Sequence, residues 1–234
     1  MIVALDVGST NSRAWLLDVS STGPPRVCAR AVAAVGVRDA AHAGSAAPVR
    51  DAVRRLIAEL STTGAPSAVV GAGMITSALG IREVPHVPAP VRIDDLARHV
   101  VTFTDPDLCE APISLVPGVR TDGAGILDTD LMRGEETLVV GLLATGLAGP
   151  GMGVLNAGSH WKFIQVDAEG RIAASRTSLG GEVVHATATT TLLKAALPDG
   201  PLRVVDDDWL MRGAEDASAE GLLRAMFGVR LLQL

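Results

Sequence analysis

The chain has 234 residues, with 20 Lys and Arg against 26 Asp and Glu, a formal net charge of −6 and 48% hydrophobic residues. This apolar content excludes a disordered chain, and the length suits one large domain or two lobes of about 100–150 residues each. The negative charge and the 3% aromatic content argue against a nucleic-acid-binding surface. Cys28 and Cys109 lie far apart, which argues against a disulfide framework or a structural zinc site and favours a reducing, cytoplasmic setting.

The sequence also argues against a membrane protein. Asp6 interrupts the apolar start, and no basic segment precedes it, so a signal peptide is not expected. Residues 137–160 carry no charge except that of His160 when it is protonated, and this stretch is long enough to cross a bilayer. Gly149-Pro150-Gly151 breaks it in the middle, however, so a helix, a turn and a buried strand explain it better.

The first half of the chain is predicted to open with a β-meander and to continue with a helix. The predicted strands are Met1–Val7, Arg13–Val19, Arg26–Val35, Ser67–Gly71 and Ile113–Val116. One helix has Pro48 in its first turn and apolar residues at helical spacing, namely Val49, Val53, Leu56, Ile57 and Leu60. A second, short helix is predicted over Ile93–Val101.

A linker over Gly123–Asp130 marks the predicted boundary between lobes 1–125 and 126–234. The second lobe is predicted to contain a helix over Glu135–Leu147, strands Val154–Asn156, Trp161–Val166 and Arg171–Ser178, a helix over Glu182–Leu197, a loop over Pro198–Pro201 and one or two helices within Asp208–Phe227. The order strand, small-residue loop, strand, turn, strand thus occurs in both halves. This coarse repeat predicts two related lobes that face each other.

Two loops combine glycine with hydroxyl side chains between predicted strands. In Asp6-Val7-Gly8-Ser9-Thr10-Asn11, an acid that can hold a cation precedes a turn whose amides and hydroxyls suit a phosphate. In Ala157-Gly158-Ser159-His160-Trp161-Lys162, one of the chain's two lysines follows a similar turn. The first loop alone is better explained as a plain hairpin turn, and the second can also be one, but together they favour a site that binds a polyphosphate from two sides.

Two further segments stand at predicted helix starts. In Met132-Arg133-Gly134-Glu135-Glu136-Thr137, either the acids only cap the helix, or one of them accepts a proton from an attacking hydroxyl. Arg133 would then complement an anionic substrate. In Thr177–Glu182, the glycines are better explained by a strand-to-helix turn with a capping Glu.

Four segments, Asp6–Trp15, Ala72-Gly73-Met74-Ile75-Thr76-Ser77, Met132–Thr137 and Gly158–Lys162, occur in an order that resembles the 2-dehydro-3-deoxygalactonokinase family. The resemblance extends to about Arg230, and Met132–Thr137 is its most specific element. The family belongs to the actin/hexokinase/Hsp70 superfamily, so the resemblance implies an α/β, ribonuclease H-like ATPase fold with two lobes. It further implies ATP-dependent phosphorylation of 2-dehydro-3-deoxy-D-galactonate at its terminal hydroxyl, in galactonate breakdown.

The resemblance also implies site residues. Glu135 is the first choice for the catalytic base and Glu136 the second, and Asp6 would help to hold Mg²⁺ through water. Residues that would line the nucleotide phosphates are Gly8, Ser9, Thr10, Gly158 and Ser159, and Lys162 could assist at either site. Residues that would face the sugar acid are Asn11, Arg13, Met74, Ser77 and Arg133.

The sequence departs from the family pattern in the second loop, where Ala157, Ser159 and Trp161 replace the usual residues. Family members also continue past the position of Leu234, so the second lobe is expected to be incomplete. Two alternatives therefore stay open: a non-catalytic relative that binds a sugar acid or a phosphate compound, and a kinase of the same superfamily with another sugar substrate. Exposed core surface on an unfinished lobe would favour a homodimer.

Overall fold

The computed structural model describes residues 1–20, 22–197 and 206–231. The chain divides into two compact units, one made of residues 1–157 and 161–178 and the other of residues 158–160 and 179–234. The lobe boundary at residue 125 stays a prediction.

The first unit contains the strands β1 (Ile2–Val7), β2 (Ser12–Asp18), β3 (Arg26–Ala33), β4 (Ala68–Gly73), β5 (Val87–Pro88), β6 (Val101–Asp105), β7 (Cys109–Leu115), β8 (Val119–Thr121), β9 (Asp130–Met132), β10 (Gly153–Ala157), β11 (Trp161–Val166) and β12 (Ile172–Ser178). Its helices are α1 (Val37–Ala43), α2 (Ala47–Ser61), α3 (Ile93–Arg98) and α4 (Glu135–Ala144). Short 3₁₀ turns cover Met74–Thr76 and Ile126–Asp128.

Six of these strands form one sheet in the order β3-β2-β1-β4-β7-β6. The first three are an antiparallel meander, and β4 and β7 then run parallel to β1. Alternate residues of β1, Val3, Leu5 and Val7, are buried in the core. The apolar face of α2 is buried in the same core at every position that the sequence predicted, namely Val49, Val53, Leu56, Ile57 and Leu60. This topology confirms the predicted ribonuclease H-like α/β fold.

A second core of the same unit lies around two three-stranded sheets, β10-β11-β12 and β5-β8-β9. It contains Met132 of β9, Val139 of α4, and Ile164 and Val166 of β11. Buried and exposed residues alternate along β11, as expected for a sheet with one face on a core. This core fixes α4, whose first residues are candidates for the catalytic site.

The second unit contains α5 (Gly180–Thr190), a 3₁₀ turn at Leu192–Ala196, α6 (Asp207–Glu220) and α7 (Leu222–Leu231), together with the tip of the second loop. Asp206 caps α6, because its carboxylate accepts the amides of Asp208 and Trp209 at 3.1 Å. The loop predicted over Pro198–Pro201 lies outside the described residues.

Several element predictions were wrong in their bounds. Helix α1 was missed, and the helix predicted over Ile93–Val101 ends at Arg98 because Val101 begins β6. The predicted linker ends in the short strand β9. The predicted helix over Glu182–Leu197 stops at Thr190, within its β-branched stretch. No helix in the described part of the chain is long and apolar enough to cross a bilayer.

Candidate active site

The carboxyl ends of β1 and β4, the two central strands of the six-stranded sheet, lie side by side, and Val7 pairs with Gly73 there. These strand ends form a corner with the start of α4. Gly73 has φ +86°, and a Cβ there would lie 2.6 Å from the Val7 carbonyl oxygen and 3.3 Å from the Asp6 carboxylate. Gly134, with φ +106°, precedes α4, and its Cβ would lie 3.2 Å from the Cα of Gly73. Two glycines therefore let the start of α4 pack directly against these strand ends.

Asp6 stands at this corner with its side chain 44% exposed. The Arg13 guanidinium on β2 lies 3.3 Å from its carboxylate, and these two residues are also paired in the sheet. Among the residues that the structure describes, no group of three or more His, Cys, Asp or Glu side chains forms a ready cation site. A cation at Asp6 would therefore complete its coordination with water and with oxygen atoms of a ligand.

The first loop, Gly8–Asn11, is held mainly by backbone hydrogen bonds. The Gly8 amide donates to the Asn11 carbonyl at 2.8 Å, and the Asn11 side-chain amide donates to the Thr10 hydroxyl at 2.9 Å. The amides of Val37 and Arg38, in the first turn of α1, donate to the carbonyls of Gly8 and Ser9 at 3.2 and 3.0 Å. Helix α1 therefore supports this loop from one side.

The two acids at the start of α4 have different environments. Glu135 is half-buried, and its carboxylate accepts the Arg133 amide at 3.2 Å. Glu136 is fully buried, and the Gly134 amide lies 2.8 Å from both of its carboxylate oxygens. Burial raises the pKa of Glu136 to about 7, against the lowering effect of these backbone hydrogen bonds. Only Glu135 is open to a ligand in this arrangement.

Arg133 stabilises the turn that follows β4 through hydrogen bonds. Its guanidinium donates to the Thr76 hydroxyl at 2.7 Å and to the Val84 carbonyl at 3.0 Å, and it lies 3.4 Å from Nδ1 of His86. Burial and the charge of Arg133 lower the pKa of His86. The hydrogen bonds of Arg133 thus hold the segment that carries two predicted substrate residues, Met74 and Ser77. The Ser77 hydroxyl donates to the Met74 carbonyl at 2.7 Å within this turn.

The tip of the second loop packs on the start of α5, within the second unit. A Cβ on Gly181 would lie 2.1 Å from the Gly158 carbonyl oxygen and 2.7 Å from that of Ser159. The Glu182 amide donates to the Ser159 carbonyl at 2.9 Å, and Nε2 of His160 lies 3.7 Å from the Glu182 carboxylate. The helix start again supports a glycine-containing loop.

Lys162 follows the second loop in sequence but belongs to the first unit, where it is 3% exposed. Its ammonium donates to the Leu131 carbonyl at 2.6 Å and to the Thr177 hydroxyl, and it lies 3.7 Å from the Asp130 carboxylate. The Asp130 carboxylate also accepts the hydroxyls of Ser175 and Thr177, at 2.5 and 2.9 Å. Lys162 is therefore part of a buried polar network, and its role at the phosphates stays a prediction.

Three residues that shape this region have no role predicted from the sequence, namely Gly36, Gly73 and Thr76. Gly36 precedes α1, and the signal that it starts a helix is Asp39, whose carboxylate accepts the Gly36 amide at 2.9 Å. Gly73 and Thr76 were part of the quoted motif, but their roles depend on packing against Gly134 and Arg133, which lie far along the chain. Local sequence carries no signal for such contacts.

Comparisons with known proteins agree with this arrangement. A family model described as 2-keto-3-deoxy-galactonokinase matches residues 6–234. The 2-dehydro-3-deoxygalactonokinase of Escherichia coli (strain K12) is 28% identical over 206 residues, which is 84% of this chain and 59% of that protein. The chain thus spans less than two thirds of the length of this relative.

A solved structure from Sinorhizobium meliloti, described as that of a 2-dehydro-3-deoxygalactonokinase protein, superposes with a TM-score of 0.77 at 23% identity. The match covers 99% of this chain and 72% of that one, and it shows a shared fold. The family match over almost the whole chain agrees with the order of motifs that gave the resemblance. This chain belongs to the 2-keto-3-deoxy-galactonokinase family.

Proposed function

We propose that this chain transfers phosphate from ATP to the terminal hydroxyl of 2-dehydro-3-deoxy-D-galactonate. The family match and the name of the E. coli relative support this substrate. The observation that carries the proposal is the contact of Gly134 with Gly73, which brings the acidic start of α4 to the strand ends that bear Asp6 and the first loop. Phosphoryl transfer depends mostly on positioning and on neutralising charge, and this corner supplies groups for both.

The first loop is proposed to hold the nucleotide phosphates through the amides and hydroxyls of Ser9 and Thr10. Gly158 and Ser159 of the second loop are proposed as further phosphate contacts. Asp6 would hold Mg²⁺, since this ion keeps several waters and binds proteins through one or two carboxylates plus substrate phosphates. When bound, the ion would neutralise charge on the phosphates.

Glu135 is proposed as the general base. It would accept the proton of the acceptor hydroxyl as that oxygen forms its bond to the γ-phosphorus, while the bond to the β-phosphate oxygen breaks and ADP leaves. Glu136 is proposed as a positioning residue, because its buried carboxylate is bound to the Gly134 amide at the turn that presents Glu135.

The sugar acid is proposed to lie against Asn11, Arg13, Met74 and Ser77. An arginine fork pairs well with a carboxylate, and Arg13 is 48% exposed. Arg133 would act mainly by holding the turn at Thr76. A cytoplasmic location and a homodimer are kept as predictions.

The direct test incubates the purified chain with ATP, Mg²⁺ and 2-dehydro-3-deoxy-D-galactonate and follows ADP formation, with ³¹P NMR to identify the product. We expect ADP to form only when the sugar acid is present, together with one equivalent of a terminal phosphate ester. D-galactonate, which has hydroxyls at C2 and C3 where the substrate has a ketone and a methylene, is the control and should give little ADP. Nucleotide binding without ADP formation would instead indicate a non-catalytic relative.

A further inference from the structure

We propose that Gly36 is a positioning residue of the nucleotide site. Because it has no side chain, α1 lies close enough to the first loop to bind the carbonyls of Gly8 and Ser9. The amides of Ser9 and Thr10 then point away from α1. This inference rests on the proposed function only in that the first loop binds the nucleotide. It adds a residue that contacts no substrate itself.

Gly36 is required for space rather than for its backbone angles. Its φ of −143° and ψ of −169° are open to any residue. A Cβ there would lie 2.4 Å from the carbonyl carbon and oxygen of Ser9 and 2.5 Å from the amide nitrogen of Thr10. These neighbours are backbone atoms, which cannot swing aside as the end of a flexible side chain can. Any side chain at position 36 would therefore move the loop.

The two hydrogen bonds from α1 fix the orientation of two successive peptide planes. In a planar trans peptide, the C=O and the following N–H point in opposite directions. The Gly8 carbonyl faces the Val37 amide, so the Ser9 amide points away from α1. The Ser9 carbonyl faces the Arg38 amide, so the Thr10 amide points away as well.

The outward amides are open to a ligand. Within the described part of the chain, neither the Ser9 amide nor the Thr10 amide has a hydrogen-bond acceptor. Adjacent amides that point the same way form a concave anion-binding site without any charged side chain. The loop thus offers two donors to a phosphate group, and α1 holds them in place before the ligand arrives.

The second loop repeats this arrangement. Gly181 contacts the carbonyls of Gly158 and Ser159 as Gly36 contacts that of Ser9. The hydrogen bond from the Glu182 amide to the Ser159 carbonyl turns the His160 amide away from α5, by the same argument. A glycine at a helix start thus supports each of two loops that are unrelated in local sequence beyond glycine and serine.

The test compares Gly36→Ala with Gly213→Ala, a control in α6 where a Cβ would meet no atom within 4 Å. In Gly36→Ala we expect the KM for ATP and the Kd for Mg·ADP to rise at least about tenfold, or about 1.4 kcal/mol. The KM for the sugar acid should stay within about twofold, or about 0.4 kcal/mol. The control should match the wild type in all three. If Gly36→Ala does not fold, Asp39→Ala, which removes the acceptor of the Gly36 amide, should raise the ATP KM alone by a smaller factor.

Unchanged Mg·ADP binding in Gly36→Ala would overturn the proposal, and so would an equal rise of both KM values, since that indicates general damage. A wild-type chain that binds no Mg·ADP would overturn it too. A wild-type chain that binds Mg·ADP but does not phosphorylate the sugar acid would instead refute the proposed function, while the binding comparison would still decide the role of Gly36.

Discussion

The first and second loops have the same construction but unequal support. Each joins two antiparallel strands and has its carbonyls turned toward a helix start, through Gly36 in one case and Gly181 in the other. The first loop receives two hydrogen bonds from α1 and follows a buried strand of a six-stranded sheet. Within the part of the chain that the structure describes, the second receives one backbone hydrogen bond from α5, and it precedes β11, where Trp161 and Phe163 are 41% and 51% exposed.

The comparison separates what the two proposed phosphate loops share from what they do not. Both loops keep glycine, serine and the helix start, whereas their flanking strands and neighbouring side chains differ. Only the first loop follows a strand whose end meets the acidic start of α4, through Gly73 and Gly134. We therefore expect the chemical step to depend on the first loop's corner and the second loop to contribute to nucleotide affinity.

The largest effect is expected for Glu135→Gln, which tests whether the chemical step depends on the corner beside the first loop. Without a base, kcat should fall by about 10²–10⁴. Binding of the sugar acid and of Mg·ADP, measured by calorimetry, should be unchanged because the glutamine side chain has nearly the same shape as that of glutamate. A kcat within a few-fold of wild type would remove Glu135 from the catalytic role.

Gly181→Ala comes next and compares the two loops directly. Its Cβ would meet the Gly158 and Ser159 carbonyls, so the second loop should shift and the KM for ATP should rise. Among the described residues, α5 donates one backbone hydrogen bond to this loop, against two from α1 to the first loop. We therefore expect a smaller rise than in Gly36→Ala, about threefold to fivefold, or about 0.7–1 kcal/mol. Steady-state kinetics of both variants give the ratio of their KM values for ATP. A kcat loss as large as that of Glu135→Gln would contradict the unequal roles.

Glu136→Gln should change how the free energy of unfolding depends on pH, and it should change kcat much less. Burial raises the pKa of Glu136 from its ordinary value of 4.5 to about 7, so the folded state binds this proton more tightly than the unfolded state does. This group therefore lowers the free energy of unfolding as the pH rises from 4.5 to 7, and the loss is complete above 7.

Urea unfolding at pH 5 and pH 8 measures this effect. The wild type should lose stability relative to Glu136→Gln between these pH values, because only the wild type must ionise a buried carboxyl. An equal change in both proteins would show that Glu136 is not protonated in the folded state. The kcat of Glu136→Gln should fall much less than that of Glu135→Gln.

The smallest effect on nucleotide use is expected for Lys162→Met. The buried ammonium stabilises the network around Asp130, so its loss should lower the free energy of unfolding by about 1–3 kcal/mol. The KM for ATP should not change. Lys194→Met removes the other lysine, which is exposed, and should affect neither quantity. A raised ATP KM without a loss of stability would assign Lys162 to the phosphates.

Much of the fold could be predicted because its signals are local. Apolar spacing predicted the buried face of α2, and the strand predicted over Trp161–Val166 has the observed bounds of β11. The ordered motifs identified the family. The unpredicted features depend on contacts between distant segments: Gly36 on Ser9, Gly134 on Gly73, and Arg133 on Thr76. The burial of Lys162 was also not predicted. A lysine beside a glycine-containing loop carries no local signal that its ammonium contacts the Leu131 carbonyl and the Asp130 carboxylate.

The most direct test of the first loop's role is an amide NMR titration of the ¹⁵N-labelled chain with Mg·ADP. The account predicts that the Ser9 and Thr10 amide resonances shift strongly as ADP binds, and that in Gly36→Ala these shifts are lost or need far more ADP. ADP binding with both resonances unmoved would show that these amides do not hold the phosphates and would contradict the account.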